Sequence, residues 1–425
     1  MNRKDFIERM MALCLFPAVP ALANGKMENV LAPTTEEDGK EYLSKWKKGY
    51  LDIHQISTGK GNAAFLIFPD GTTMLIDAGD LGVYGGKQEI MKQVPDDSKT
   101  PAEWIITYIK HFSAPLKNDA ALDYALITHY DTDHIGQCGE LSKEKKGANY
   151  KLTGITHVGD QLNIKTLIDR GYPDYNYPSV ERFAGDDRQN YISYVKSRDA
   201  EGKRNESFEV GSNSQIKLLK KPSKYPTFEV RNVIGNGVVW TGKGSETKYL
   251  VPSDIPSNKQ LNENRCSCGV RIKYGNFDYL SCGDIQGSKG WDDMETPVGK
   301  AVGEMDVVVC NHHAYSDAMF DGYVSLIKPR VFIIPVWDFY HPQPETLARM
   351  LSQSNYQGER DIYAAGLVHS NRIRLSDDGQ KIKPDGHVVT RVYPGGDKYQ
   401  IFVLNNKSTD YEIIYKSDVI QSKKK

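Results

Sequence analysis

Residues 128–136 read THYDTDHIG and follow directly on the apolar run YALI at 124–127. The run predicts a buried strand, and the motif begins where that strand ends. His129, Asp131, Asp133 and His134 then share one turn. Neighbouring side chains converge on a point in a tight turn, whereas along a strand adjacent residues face opposite ways. Four ligand-type residues within six positions do not easily wrap a single ion. They suit two ions side by side, each completed from elsewhere in the chain.

The chain supplies those residues in the same form. LSCGDIQG sets Asp284 just after a strand, VVVCNHHAYSD sets His312 and His313 after another, and LIDAGD sets Asp77 after a third. In each the apolar strand comes first and the polar group last, so all point to one sheet edge, where sites of α/β folds collect. Any one of these motifs alone is an ordinary solvated turn. Their shared polarity is what points to a metal centre.

Composition sets the frame. With 425 residues, 39% hydrophobic and 26% charged, the chain is a globular one able to bury a substantial core. A net charge of −1 gives no global footprint for nucleic acid or an anionic membrane. Residues 1–23, with Arg3 and Lys4 ahead of MALCLFPAVPALA, match an export peptide cut after Ala23. That predicts a periplasmic or extracellular protein, and no later segment is apolar enough to cross a membrane. Residues 24–48 read as a flexible polar lead-in, 49–415 as one domain and 416–425 as a basic tail. Asp70-Gly71 predicts a hairpin, and PAEWIITYIKHF a helix entered through a proline. Residues 170–260, rich in Tyr, Pro, Asn, Ser and Lys, read as an insertion or lid. Past the export peptide, Cys138, Cys266, Cys268, Cys282 and Cys310 describe no disulfide framework and read as small buried hydrophobes with at most one disulfide.

His129-x-Asp131-x-Asp133-His134 resembles the His-x-His-x-Asp-His signature of the metallo-β-lactamase superfamily, with Asp131 at the second histidine. That variant is similar to the branch containing the metallo-β-lactamase-like domain of the competence DNA-uptake channel protein. HQISTGKGNAAFLIFPDGTTMLIDAG, NENRCSCGVRIKYGNFDYLSCGD, NHHAYSD and FYHPQPETL resemble further segments of that branch, with Asn62 where aspartate is usual and Ala314 in place of glycine. The resemblance spans most of residues 50–400 except the 170–260 stretch. It implies an α/β fold, a four-layer αββα sandwich with two divalent ions at the sheet edge. Carried over by position, His129 and Asp131 hold the first ion. Asp133, His134 and one of His312 or His313 hold the second, and Asp284 bridges. Asp133 also orients the nucleophile, Asp77 fixes the angle of a ligand, and His341 protonates a leaving group or binds phosphate. His157 is the only histidine in the interval where many relatives carry one more ligand.

Such a pair of ions lowers the pKa of a shared water from about 16 towards about 7, so that metal-bound hydroxide is available at neutral pH. A carboxylate at 131 is harder than an imidazole, which names zinc first and manganese as its competitor. The expected reaction is hydrolysis of a phosphodiester, in nucleic acid or a phosphorylated envelope component. KLLKKPSK and Tyr172, Tyr175, Tyr177, Tyr191 and Tyr194 supply charge and rings on which bases stack. Two other readings stand beside it: hydrolysis of a lactone, β-lactam or other carboxyl derivative, and a metal-binding envelope protein without catalysis.

Overall fold

Short runs rich in Val, Ile, Phe and Tyr, closed by Gly, Asp and Asn turns, form the strands. The computed structural model describes residues 34–82, 90–116, 121–139, 142–256 and 259–424; the expected export peptide lies outside the described residues. In chain order the first strands are β1 (Thr34–Glu37), β2 (Lys40–Leu43), β3 (Leu51–Gln55), β4 (Ala64–Ile67), β5 (Thr73–Ile76) and β6 (Leu122–Leu126). A small hairpin, β7 (Lys143–Glu144) and β8 (Lys151–Leu152), precedes β9 (Ile164–Asp169) and β10 (Arg204–Ser207). The middle of the chain gives β11 (Phe228–Gly235), β12 (Val238–Trp240), β13 (Thr247–Tyr249), β14 (Gly269–Tyr274) and β15 (Phe277–Ser281). The remainder gives β16 (Val307–Val309), β17 (Val331–Ile334), β18 (Asp361–Ala364), β19 (His387–Val392), β20 (Lys398–Leu404), β21 (Ile413–Lys416) and β22 (Ile420–Gln421).

These strands make two large mixed sheets. One runs β10-β9-β6-β5-β4-β3-β19-β20-β21 with β22 also on β20, and the other β13-β12-β11-β14-β15-β16-β17-β18. In each, an antiparallel hairpin (β4–β5, β14–β15) leads into parallel strands (β6 and β9, β16 to β18). Parallel neighbours need crossovers, and helices supply them. The outer helices are α1 (Pro101–Ser113), the single turn α2 (Thr132–Ile135), α3 (Gly154–Gln161), α4 (Asp186–Ala200), α5 (Glu295–Val302), α6 (Asp321–Ile327) and α7 (Pro344–Leu351). Helix α1 starts at the expected proline, with Thr100 and Glu103 closing a capping box.

Three cores define the layers. Leu66, Met74 and Ile76 of the first sheet meet Val270, Ile272 and Val307 of the second between the sheets. The alternate residues Phe65 and Leu75 pack outward on Ile105, Ile155 and Val195 of the helices. On the far side Leu280, Val308 and Phe332 pack on Val298, Tyr323 and Leu347. The order is therefore helix, sheet, sheet, helix: the four-layer αββα sandwich. Both faces of the central strands are covered, which is why they read as continuous apolar runs.

Three segments differ from the sequence reading. The stretch 170–260, expected as an insertion or lid, contributes elements to both sheets. Helix α4 covers the first sheet, β10 extends it in parallel with β9, and β11 joins the second sheet against β14. Its polar composition hides this because buried polar groups are satisfied internally: Arg198 donates to the carbonyls of Ile164 and Arg204 and to Asn205. The described part of the lead-in is β1 and β2, held by Lys40 to Asp410 at 2.9 Å and Glu412 at 2.8 Å. The basic tail supplies β22 and ends with the Lys423 amide on Asp306 at 2.9 Å. All five described cysteines are free; Cys266, Cys268, Cys282 and Cys310 are buried and Cys138 half-buried.

Candidate metal centre

The carboxyl ends of β5, β6, β15, β16 and β17 meet at one edge of the sandwich. Asp77 follows β5, and its carboxylate accepts from the Thr128 amide (2.8 Å), the Thr128 hydroxyl (2.8 Å) and Asn62 Nδ2 (3.0 Å). After β6, Asp131 begins the single turn α2, on which Asp133 and His134 are buried. The turn is clamped by backbone: the Asn62 amide donates to the Asp133 carbonyl at 2.7 Å. Gly79 makes that approach possible, since a Cβ there would lie 1.9 Å from the same carbonyl oxygen.

Four donors come together: Asp133 and His134 from the first half of the chain, Asp284 and His313 from the second. His134 Nε2 lies 3.3 Å from His313 Nε2, from Asp133 Oδ2 and from Asp284 Oδ2. His313 Nε2 lies 2.9 Å from Asp133 Oδ2 and 3.3 Å from Asp284 Oδ2. Donors bound about 2.0–2.1 Å from one ion at tetrahedral angles sit about 3.3–3.4 Å apart, so these residues fit a divalent cation without rearrangement. The far ring nitrogens fix the orientation. His134 Nδ1 is 2.7 Å from Asp77 Oδ2, and His313 Nδ1 is 3.0 Å from the Pro335 carbonyl, each placed to donate there and turn Nε2 inward. Two imidazoles and two carboxylates are a donor set of intermediate hardness, open to zinc and to manganese.

In the metal-free state the four hold protons among themselves. Burial alone would raise the carboxyls of Asp133 and Asp284, but the facing imidazoles outweigh it and hold both well below the usual range. Burial alone would lower the imidazoles. The charge of Asp284 and the bonds to Asp133 outweigh it, pushing His313 up to about 10 and His134 well above its ordinary value.

The other expected residues fall around this quartet. His312 is turned out of it: Nδ1 is 2.6 Å from Asp317 Oδ1 and Nε2 is 3.0 Å from Asn264 Nδ2. His312, His313 and Ala314 take successive left-handed conformations (φ 45°, 52° and 58°), and this coil swings His313 inward. His129 is fully buried, with Nε2 lacking a hydrogen-bond partner among the described residues, 3.8 Å from Asp284 and 3.7 Å from Asp131. Burial and then the charge of His134 keep its pKa low. His341 stacks on His313 with ring centroids 4.6 Å apart. Burial and the neighbouring His313 hold its pKa well below the ordinary value. His157 sits on α3 and lines a separate cleft with Glu103 and Lys143, away from the quartet.

Four contributors went unread in the sequence. Trp337 follows β17 and donates Nε1 to Asp133 Oδ2 at 2.9 Å. Glu295, with its carboxyl pushed up to about 7 chiefly by burial, accepts from Asn311 and from the amides of Met319 and Phe320, bracing the coil that carries His313. Arg188 and Asn264 line the open volume of about 460 Å³ above the quartet, together with Trp337 and His341. Asn264 lies within the quoted segment NENRCSCG and Trp337 two residues before FYHPQPETL, and neither side chain carries ligand chemistry. Arg188 gives no sequence signal. Of the tyrosines expected to stack on bases, Tyr175, Tyr191 and Tyr194 are buried, and the first two donate to Asp169. The basic run is tied to Asp70, at the opposite end of β5 from the site.

No protein-family model matches the chain, and no curated protein matches its sequence. Among solved structures the chain is similar to a protein assigned as a metal-dependent hydrolase from Parabacteroides distasonis (11% identity, 77% of this chain and 96% of that chain, TM-score 0.33). It is similar to zinc-bound PqqB from Methylobacterium extorquens (11% identity, 79% and 98%, TM-score 0.33) and to the short form of human tRNase Z (12% identity, 80% and 98%, TM-score 0.32).

Proposed function

We propose that this chain is a metal-dependent hydrolase of small anionic esters, with a phosphodiester as the first candidate. One observation carries the reading: four buried donors from three strand ends come together, three of them on the floor of an open pocket. A divalent cation held there supplies Lewis-acid polarisation and a water acidified towards neutral pH. The chain's own groups do the rest. The Trp337 indole fixes one Asp133 oxygen, which leaves that carboxylate oriented to hold a proton of an attacking water. Arg188 and Asn264 border the open volume and offer N–H donors to the oxygens of an anionic ester. Nearly all the remaining wall is polar or aromatic, which suits a compact polar ester. Nucleic acid ranks below a small phosphodiester because three of its five expected stacking rings, Tyr175, Tyr191 and Tyr194, are core residues. The finer likeness to the competence-channel branch, and export directed by residues 1–23, belong to this proposal as well; processing to an N-terminus at Asn24 is the outcome that export requires.

The test compares a bis-aryl phosphodiester, nitrocefin and a homoserine lactone, each with zinc or manganese and again after chelation. Phosphodiester turnover that disappears with chelator and in Asp284→Ala supports the reading. Turnover of the lactone or nitrocefin alone moves it to carboxyl derivatives. An ion-loaded protein that turns over none of the three is a binding module.

A further inference from the structure

The resemblance implied an ion between His129 and Asp131, beside the one in the quartet. A fixed cation of the protein already stands beside Asp131. Arg188, on α4, donates Nη2 to Asp131 Oδ1 at 2.8 Å, Nε to the Tyr130 carbonyl at 3.3 Å, and Nη1 to the Arg182 carbonyl. Three anchors from one guanidinium make a positioned group rather than a loose surface charge. Its partner Asp131 is thereby neutralised, and Glu263 behind it is taken by Arg170 through bonds of 3.0 and 2.5 Å.

The donors left for a second ion are few and loosely spaced. His129 Nε2 is 3.7 Å from Asp131 and 3.8 Å from Asp284, against 2.9–3.3 Å within the quartet. The extra histidine that would complete such a site is absent here, since His157 lines another cleft. A second divalent ion on the other Asp131 oxygen, which faces His129, would have to share that carboxylate and the pocket with the charge of Arg188.

We propose that the centre takes one divalent ion, held by Asp133, His134, Asp284 and His313, and that the Arg188 guanidinium stands in the electrostatic place of a second. Arg188 is then a positioning and charge-supplying residue at the pocket wall, contributed by the segment whose sequence looked like a lid. This inference rests on the metal-centre reading above.

Metal analysis separates the two. Protein equilibrated with excess zinc or manganese and then desalted is measured for ions per chain, with no recourse to activity. One ion per chain is expected. Arg188→Ala, which frees Asp131, is expected to retain close to two under the same loading. Asp131→Asn is expected to keep its single ion, because Asp131 is not one of the four ligands, and this variant leaves the question decidable should Arg188→Ala fail to fold. Two retained ions in the unmodified protein, a fall in content on Asp131→Asn, or an Arg188→Ala protein that still takes one would overturn the inference. No ion in the unmodified protein overturns instead the metal-centre reading beneath it.

Discussion

Which of two adjacent histidines becomes a ligand is decided by what its other nitrogen does. His313 sends Nδ1 to a backbone carbonyl and keeps Nε2 for the quartet, while His312 has both nitrogens occupied at the rim. His313→Ala is therefore expected to abolish retention of the ion and His312→Ala to preserve it, as measured by metal content after desalting. The same logic applies one bond further out. Asp77→Asn removes the charged acceptor behind His134 and replaces it with an amide that presents N–H or C=O only by rotating. Affinity should fall about 10–100-fold, read by competition with a chromophoric chelator; unchanged affinity would mean that Asp77 merely braces the backbone. At this scale the residues that come together, Asp133, His134 and Asp284 with one of the two adjacent histidines, stood out in the sequence because carboxylates and imidazoles announce their chemistry. The choice between His312 and His313 was not, because it depends on three successive positive φ values that no residue type in NHHA signals.

Elements here are fixed by short local signals where turns dominate, and obscured where polar groups go inside. The Asp70-Gly71 hairpin and the capped start of α1 appear where expected. Helix α4 and strand β11 were missed because Arg198, Arg231 and Asn232 are buried members of them, and buried arginines mimic a solvated loop in any reading by hydropathy. The turn α2 depends on its neighbours rather than on its own four residues. Gly79→Ala would drive a methyl into the Asp133 carbonyl and shift the turn that carries two of the donors. A loss of about 3 kcal/mol in stability is expected from such overpacking, together with weakened ion binding. Thr100→Ala serves as the contrast: it removes the α1 cap for about 1 kcal/mol and leaves metal content alone. Chemical denaturation and metal analysis of the pair would expose a mistaken placement if both variants behaved alike.

Over the whole molecule, the two halves present the same plan, hairpin then parallel strands, and each brings two donors to the common edge. Alternation of strands and helices was readable from the sequence; the matching order of strands was not, since pairing joins residues hundreds of positions apart. The juxtaposition also sets opposing pH responses. Depressed carboxyls contribute stability that is complete above the ordinary aspartate value of 3.8 and lost as pH falls. Raised imidazoles contribute stability that is complete below 6.5 and lost as pH climbs, for His313 through about 10. The quartet's own contribution should therefore be greatest between those two ordinary values, read in EDTA as the melting-temperature difference from Asp284→Asn at each pH. Ion affinity should run the other way, rising with pH because the cation must displace protons from His134 and His313. Titration calorimetry in buffers of unequal ionisation heat would reveal that proton release, and affinity flat from pH 6 to pH 8 would contradict it.

The sealed cysteines give the fold a built-in reporter. Iodoacetamide is expected to reach the half-buried Cys138 in the folded protein, and the buried Cys266, Cys268, Cys282 and Cys310 only during excursions that part the layers. Mass counts of carbamidomethyl groups over time would thus time how often the sandwich breathes, and whether a bound cation slows it.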